Sequence, residues 1–367
     1  MKEYLPESMR NICFIGHGGS GKTSLVESCL STAGETTRIG TIAEGNTVSD
    51  YTSNEIEKQF SISLSLLHFD WKNCKINWLD TPGYTDFVGE VKCAMKVADS
   101  AVMVLKAFEG VEVGSGIAGH FVNEFQMPSA IIINKCDNEK ARFEEVLTMA
   151  QERLTNGAFV VTFPVNAGIG FNAVVDVLAM KVYTYGAPGS KSVTESEIPA
   201  DLKAKAEEYR TLLIEKVAEL NEKFMNEYFE TGSLSDEDLK AGVTESMLKR
   251  SLTPVFATSA TASVGINNFL DFVEKYFPNP MQMPAVVGKL KDKDDTVVVP
   301  PNPKGEPVIF VFKTIAEQHV GELSLFRVFS GEVHPGMDMV NEANGKVERL
   351  NQLSILNGRN RRDIQSL

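Results

Sequence analysis

The phosphate-binding pattern G-x-x-x-x-G-K-[ST] is met at every fixed position by one stretch, Gly16, His17, Gly18, Gly19, Ser20, Gly21, Lys22 and Thr23, with Ser24 following it. Glycines in such a loop let backbone N–H groups turn toward phosphate oxygens without a Cβ in the way. Lys22 would bring a positive charge to the terminal phosphates, and the Thr23 hydroxyl would bind Mg²⁺. The motif predicts a nucleotide phosphate site; the alternative is a glycine-rich turn that fits by chance.

The segments on either side of this loop have the patterns that a phosphate site needs. Residues 11–15 form a short apolar run typical of a buried strand. Residues 24–30 carry apolar side chains at i, i+1, i+4 and i+5, a helical spacing. A strand, a glycine-rich loop and a helix therefore follow in order, and this order would place the phosphates at the N-terminus of the helix.

A second polar stretch indicates which base is bound. Asn134, Lys135 and Asp137 come directly after the apolar residues 131–133. A carboxylate such as that of Asp137 can accept two hydrogen bonds from the guanine edge, whereas adenine presents a mismatched pattern. Ser259 and Ala260 follow another apolar run and would offer a backbone N–H to the guanine carbonyl oxygen. The alternatives are a merely polar strand end, or an ATP-using protein such as a kinase in which this motif is incidental.

A third stretch, which includes Asp80 and Gly83, follows the apolar residues 75–79. The Asp80 carboxylate would hold Mg²⁺ through water, and the Gly83 N–H would contact the γ-phosphate. A loop at this place can report whether that phosphate is present.

Composition excludes several classes of protein. The chain has 367 residues, 43% hydrophobic and 23% charged, which is ordinary for a globular protein of two or three domains. Its net charge of −13 argues against a protein that coats nucleic acid through bulk charge. The five cysteines show no CxxC spacing, which favours free thiols in a reducing compartment. No secretory signal and no apolar run long enough to span a membrane is visible, so we expect no membrane partner.

The elements that must position these motifs alternate between strand and helix. Beyond residues 11–15, the predicted strands are 75–79, 101–105, 129–133, 159–163 and 254–257. Such alternation predicts an α/β fold with a mostly parallel sheet and helices on both faces. Ligands bind such sheets at the carboxyl ends of the strands, where all of the motifs above are placed.

A long insert, residues 164–253, interrupts this alternation. A helical stripe runs from Leu202 to Tyr228 at steps of three and four, and Ser235 resembles the start of another helix. We expect the stripe to pack onto the insert, the alternative being a partner-binding face. Residues 285–306 resemble a linker, and residues 307–367, here called the rear segment, predict an incomplete β-barrel. Residues 285–367 carry equal numbers of acidic and basic side chains, so the net negative charge lies before residue 285.

Together these motifs resemble those of a translational GTPase, and most closely those of the elongation factor G group. The resemblance covers the stretch from Asp80 to Phe87, the motif at Asn134, the pair Ser259 and Ala260, and the insert, which is similar to the G′ subdomain. Residues 320–331 are similar to the start of the family's domain II. The resemblance implies a GTP-binding domain over residues 1–284, GTP or GDP with Mg²⁺, and a monomer that acts on the ribosome in the cytoplasm. Family members continue into further domains, so we interpret the chain as a fragment.

The sequence departs from the family at three places. Tyr84 replaces the histidine that orients the attacking water, and Gly19 replaces an aspartate of the phosphate loop. Where the family has Arg-Gly-Ile-Thr, whose threonine binds Mg²⁺, the best alignment places Lys58, Gln59, Phe60 and Ser61. Ser61 keeps a hydroxyl, although a solvated loop without metal contact is the alternative. These departures resemble an auxiliary, elongation-factor-G-like branch.

Two functions follow from the resemblance and its exceptions. The first is a ribosomal GTPase in which Lys22, Gly83 and Tyr84 surround the reacting phosphate and Thr23, Ser61 and Asp80 hold Mg²⁺. The second is a switch that binds GTP or GDP but hydrolyses hardly at all, because Tyr84 stays neutral near pH 7 and cannot present the donor of a histidine.

Overall fold

The computed structural model describes residues 4–187, 192–289, 295–317 and 321–367. Its largest sheet contains seven strands: β1 (Met9–Ile15), β2 (Ser65–Trp71), β3 (Cys74–Asp80), β4 (Ser100–Lys106), β5 (Ser129–Asn134), β6 (Ala158–Val160) and β11 (Thr253–Ala257). Their spatial order is β2-β3-β1-β4-β5-β11-β6. The edge strand β2 runs antiparallel to β3, and the other neighbouring pairs are parallel. The predicted α/β class with a mostly parallel sheet is therefore confirmed. The strand β2 was not among the predicted strands.

Helices cover both faces of this sheet: α1 (Lys22–Ala33), α2 (Ser53–Lys58), α3 (Val88–Val97), α4 (Val113–Glu124), α5 (Phe143–Arg153) and α9 (Ile266–Tyr276), with short 3₁₀ turns at Pro6–Ser8, Thr85–Phe87 and Pro280–Gln282. Alternate residues of β1 enter two separate cores. Ile12 and Phe14 pack in the core that contains residues of α1 and α9, and Cys13 and Ile15 pack in the core that contains residues of α3, α4 and α5. Because both faces of β1 are buried, its second part, Ile12 to Ile15, is continuously apolar rather than alternating.

The insert forms a second sheet with three helices beside it. Its strands are β7 (Thr162–Pro164), β8 (Ala173–Asp176), β9 (Lys181–Tyr185) and β10 (Val193–Ser196), in the antiparallel order β10-β9-β8-β7. Its helices are α6 (Ala200–Ala218), α7 (Glu222–Thr231) and α8 (Asp236–Leu248). The Ser235 hydroxyl accepts a hydrogen bond from Asp238 N, which confirms the predicted helix start.

The predicted stripe of residues 202–228 is two helices rather than one. α6 ends at Ala218, and the Asn221 side chain begins α7 by accepting a hydrogen bond from Phe224 N. The apolar spacing continued across the break because Leu213 on α6 and Phe224 on α7 enter the same core. The expectation was that the stripe packs onto the insert. These two residues are buried in a core that contains residues of α8 in the insert and also residues of β1 and α9 in the main sheet domain.

The predicted strand 159–163 changes sheets in its middle. Ala158–Val160 pairs with β11 in the main sheet, whereas Thr162–Pro164 pairs with β8 in the insert. Val161 lies between the two strands and donates its N–H to Val255 O. A continuous apolar run does not indicate such a change of partner strand. The prediction of a single strand over residues 159–163 was therefore wrong.

The region after residue 285 consists of antiparallel strand pairs: β12 (Val286–Lys289) with β13 (Thr296–Val299), β14 (Val308–Glu317) with β15 (Gly321–Ser330), β16 (Asp338–Asn341) with β17 (Lys346–Arg349), and β18 (Leu353–Asn357) with β19 (Asn360–Ile364). The pairs after residue 306 are consistent with a partial β-barrel. The predicted linker, 285–306, contains β12 and β13. Its residues 290–294 lie outside the described residues, as do Val320 and residues 1–3.

Two partly buried ion pairs attach the rear segment to the main sheet domain. Arg327 on β15 lies 2.7 Å from Asp99, which precedes β4, and Lys313 on β14 lies 2.5 Å from Glu90 on α3. Glu90 also accepts the N–H of Leu64 at 2.7 Å, so α3, β14 and the entry to β2 meet at one carboxylate. In the described part of the chain, no helix is long and apolar enough to cross a bilayer.

Candidate nucleotide-binding site

The glycine-rich loop curls around the Lys22 side chain. It leaves the carboxyl end of β1 and enters α1 through Gly21, whose φ of 94° is the left-handed conformation that glycine adopts without strain. Lys22 is 5% exposed, and its Nζ donates hydrogen bonds to Gly16 O at 3.0 Å and His17 O at 3.1 Å. Burial lowers the pKa of Lys22 to about 8, and the nearby Asp80 opposes this effect. The ammonium group is therefore held inside the loop by two backbone carbonyl oxygens.

The remaining loop residues differ in their surroundings. The Nδ1 atom of His17 accepts the N–H of Gly114 at 3.2 Å, and its Nε2 lies 3.3 Å from Glu112, which ties the loop to the start of α4. Ser20 is buried and its hydroxyl has no hydrogen-bond partner among the described residues. Gly19 has a φ of 72°, in the left-handed region that glycine adopts without strain. Ser24 lies in the first turn of α1.

The three predicted metal ligands lie together at the other end of the loop. Thr23 Oγ1 donates to Asp80 Oδ2 at 2.8 Å and lies 3.1 Å from the Ser61 hydroxyl. Ser49, which sequence reasoning missed, donates to the same Asp80 oxygen at 2.6 Å. Ser61 and Ser49 both belong to residues 34–64 between α1 and β2, here called the α1–β2 segment. The structure therefore brings this segment to the end of β3.

Two buried carboxylates in this cluster have oxygens without hydrogen-bond partners. Asp80 Oδ1 and both oxygens of Asp50 accept no hydrogen bond within the described chain, although these residues are 1% and 4% exposed. Burial raises the pKa of each, and the charge of Asp80 raises that of Asp50 further. Among the described residues no group of three or more His, Cys, Asp or Glu side chains is placed to hold a metal. An ion at this cluster would therefore use carboxylate and hydroxyl oxygens, which are ligands that Mg²⁺ prefers.

At the base end, Asn134 joins three loops. Its Oδ1 accepts hydrogen bonds from Ala260 N at 3.0 Å and Thr258 Oγ1 at 3.1 Å, and its Nδ2 donates to Ser20 O at 3.0 Å. Ser259 N donates to Val264 O. The N–H groups of Ser259 and Ala260 thus already have acceptors, and a guanine carbonyl would share the Ala260 N–H rather than find it free.

Lys135 and Asp137 frame the outer side of the base end. Lys135 Nζ reaches back to Gly19 O at 2.9 Å, which joins this loop to the phosphate loop. The half-buried Asp137 accepts the Thr261 hydroxyl at 3.2 Å, and Thr261 lies 3.2 Å from the Ser259 hydroxyl. Asp137 therefore keeps acceptor capacity for a base, and Thr261 orients its carboxylate. Neither Thr261 nor Asp50 has a local sequence signal, since each acts through a contact distant in the chain.

Tyr84 and Gly83 lie beside the phosphate loop. A Cβ on Gly83 would contact Lys22 Nζ and would lie 2.7 Å from Gly18 N, so this backbone sits directly against the loop. The Tyr84 side chain is 45% exposed, and its ring packs against Phe60 in a tilted arrangement, with 4.8 Å between ring centroids and 59° between the ring planes. Tyr84 thus connects the phosphate loop to the α1–β2 segment through an aromatic contact.

The comparisons with known proteins agree with this geometry. The sequence profile of the elongation factor Tu GTP binding domain matches residues 7–279, and that of elongation factor G domain 2 matches residues 306–367. A protein of Thermus thermophilus of known crystal structure has the same fold, with a TM-score of 0.86 and 24% identity. The match covers 98% of this chain and 51% of that protein, so this chain spans about half of its length. The chain belongs to the translational GTPases of the elongation factor G type, with a guanine-nucleotide-binding domain followed by a domain 2.

Proposed function

We propose that this chain binds GTP and GDP with Mg²⁺ and hydrolyses GTP as part of a translation factor that acts on the ribosome during elongation. The observation that carries the proposal is the meeting of Lys22, Asp80 and Asp137 at the carboxyl ends of parallel strands, which is where nucleotides bind such sheets. Because the chain belongs to the translational GTPases, we also place the factor in the cytoplasm. We expect it to act as a monomer at translocation or a related step.

The residues at the metal end fit Mg²⁺. The ion demands oxygen ligands and keeps several waters, so few protein ligands suffice. Thr23 and Ser61 would hold it through their hydroxyls, and Asp80 would hold it through water, with Asp50 buried close enough to take part. When bound, Mg²⁺ would neutralise charge between the β- and γ-phosphates. The partnerless oxygens of Asp50 and Asp80 support this assignment, because buried carboxylates are costly unless they are paired or coordinate a metal.

The chain's own residues contribute mainly position and charge to phosphoryl transfer. Lys22 would exchange its bonds to Gly16 O and His17 O for phosphate oxygens, where its charge offsets the charge of the transition state. The Gly83 N–H would hold the γ-phosphate, and the start of α1 would bind the other phosphates. Asp137 would accept the guanine N–H groups and thereby reject adenine.

A second candidate function is a GTP/GDP switch with little hydrolysis. The supporting observation is the position of Tyr84 against Phe60, which fills with an aromatic ring the place from which a histidine would orient water. A tyrosine hydroxyl lacks the ring nitrogen with which a neutral imidazole can accept a proton from water. In this candidate, nucleotide exchange rather than hydrolysis resets the protein.

Phosphate release from GTP by the full-length protein, with and without ribosomes, distinguishes the two functions. The GTPase proposal predicts stimulated release by the native protein. The switch proposal predicts slow release that rises when Tyr84 is changed to His. If neither the native protein nor Tyr84→His responds to ribosomes while both bind GTP, the ribosomal assignment is wrong.

A further inference from the structure

One backbone position of the α1–β2 segment, Val48, is held from two sides. On the first side is Glu27, which lies on α1 one helical turn after Thr23 and is 1% exposed. Its two carboxylate oxygens accept the N–H of Val48 at 2.6 Å and the N–H of Gly40 at 3.0 Å. Glu27 therefore ties Val48 to the helix that begins in the phosphate loop.

On the second side is the tip of the β18–β19 hairpin, where Asn357, the last residue of β18, is followed by Gly358, the first residue of the turn; these two residues are here called the 357–358 turn. Gly358 N donates to Leu66 O at 2.8 Å, next to the entry of β2. The Asn357 side chain donates to Glu35 Oε1 at 3.0 Å and to His68 O at 3.2 Å, and it accepts the His68 N–H at 3.4 Å. The turn thus bridges the end of α1 and the edge strand of the main sheet.

Gly358 lies directly on the Val48 peptide. Its φ is 58°, and a Cβ built on it would contact Val48 O and would lie 2.8 Å from Val48 Cγ1. No side chain fits between the two backbones, so the turn limits how far Val48 can move away from Glu27. The rear segment therefore packs against the α1–β2 segment itself.

The residues directly after Val48 are Ser49 and Asp50, which enter the metal end of the site. Ser49 bonds to Asp80, and Asp50 is buried next to Asp80 with no hydrogen bond to its carboxylate among the described residues. Two like charges brought together in a buried place repel each other, so this arrangement needs restraint from the surrounding structure. Within the segment and at β2, the Thr47 hydroxyl accepts the Asp50 N–H at 3.1 Å and the Ser65 hydroxyl donates to Ser49 O at 2.7 Å. The contacts on Val48 add a restraint from α1 and from the rear segment.

We propose that the 357–358 turn is a positioning element for the metal end of the nucleotide site, acting through Val48 on Ser49 and Asp50. This inference rests on the proposed binding of Mg²⁺ with a guanine nucleotide. Coupling of this kind is reciprocal, so binding of Mg²⁺ and nucleotide stabilises the docking of the rear segment by the same factor. Domain 2 is then part of the metal site without contacting the metal.

The test uses the whole chain and two variants of the turn. Asn357→Ala removes three hydrogen bonds without adding an atom, and Gly358→Ala pushes on Val48. The controls are Asn360→Ala, an exposed asparagine across the same hairpin, and Gly336→Ala, a glycine at φ 86° whose nearest contact is the end of the Arg349 side chain at 3.5 Å. The second control matches the left-handed strain of Gly358 without contact to Val48.

Two measurements are made on each protein. Backbone hydrogen exchange of residues 48–50 without nucleotide reports the restraint on the segment. The Mg²⁺ concentration that halves the rate of GDP release reports the metal end. In Asn357→Ala and Gly358→Ala we expect exchange to rise about tenfold and the required Mg²⁺ concentration to rise about threefold to tenfold, a coupling of the usual size for linked sites. GDP affinity in EDTA stays unchanged, and both controls behave as the native chain.

The inference is overturned if exchange at residues 48–50 is native in both variants, or if exchange rises while the Mg²⁺ dependence does not. If Gly358→Ala fails to fold, Asn357→Ala alone decides. A native chain that binds no GDP at any Mg²⁺ concentration refutes the proposed function. A native chain that binds GDP in a Mg²⁺-dependent way, with unaltered variants, refutes this inference alone.

Discussion

The ring of Tyr84 lies against the backbone of Gly18, so closely that a Cβ on Gly18 would lie 3.2 Å from the ring carbon Cζ. Tyr84 stands where the family has histidine, and it therefore lies in direct contact with Gly18 of the phosphate loop. Phe60 closes the same space from the α1–β2 segment. A larger residue at position 18 would therefore push on the aromatic ring at position 84.

This relationship predicts non-additive substitutions. Gly18→Val should lower the free energy of unfolding by about 1–2 kcal/mol through overpacking, and Tyr84→Ala should remove most of that loss. Urea denaturation of the two single variants and the double variant measures the coupling. Gly89→Val is the control, because a Cβ at Gly89 meets nothing within 4 Å. Additive losses would show that the ring does not restrict position 18.

Replacement of Asp137 by asparagine should change the preferred base. The variant loses a charged acceptor of the guanine N–H groups, each such bond being worth about 1.5–3 kcal/mol, so GDP affinity should fall about 100-fold. Because an amide can donate where the carboxylate only accepts, xanthosine diphosphate should bind the variant better than GDP does. Titration calorimetry with both nucleotides measures this change in base preference. An unaltered GDP affinity would refute the role of Asp137.

The lowered pKa of Lys22 predicts proton uptake on binding. With a pKa of about 8 in the free protein, Lys22 is charged at pH 6.5 but about three quarters neutral at pH 8.5. Phosphate oxygens favour the charged form, so GDP binding at pH 8.5 should draw a proton from solution and weaken as pH rises further. Calorimetry in buffers of different ionisation enthalpy measures the uptake. Equal uptake in Lys22→Met would assign the proton to another group.

The ion pair between Arg327 and Asp99 should hold the rear segment to the main sheet domain. Their side chains are 15% and 3% exposed, and Asp99 is also bonded to Asn11 at 2.8 Å. Arg327→Met leaves the Asp99 carboxylate buried without its charged partner, at a cost of about 3–5 kcal/mol in the free energy of unfolding. The exposed pair Arg349 with Asp338 is the control, because Arg349→Met should cost under about 1 kcal/mol. Equal losses in urea would contradict this prediction.

The motifs predicted to bind phosphate and base could be found in the sequence because each is local. The pattern from Gly16 to Thr23 contains its own loop, lysine and hydroxyl, and Asp80 and Asn134 each follow an apolar strand that places them at the same sheet edge. Their family assignment and the α/β class are confirmed. The edge strand β2 was not recognised, although it places the end of the α1–β2 segment beside β3.

Contacts between residues that lie far apart in the chain could not be predicted from the sequence. Asp50 and Ser49 join Asp80 across about thirty residues, and Gly358 reaches Val48 from the rear segment. Neither contact has a spacing rule, since both depend on how the domains are packed. The break between α6 and α7 was missed for a related reason, because tertiary burial preserved the apolar period across it.

Displacement of labelled GDP in the presence of Mg²⁺ tests the central claim most directly. Unlabelled GTP and ATP are titrated against the bound GDP, first on the native chain and then on Asp80→Asn. A guanine-specific site predicts displacement by GTP at near-stoichiometric concentration, no displacement by millimolar ATP, and weaker Mg²⁺ dependence in Asp80→Asn. Equal displacement by ATP and GTP would contradict the account.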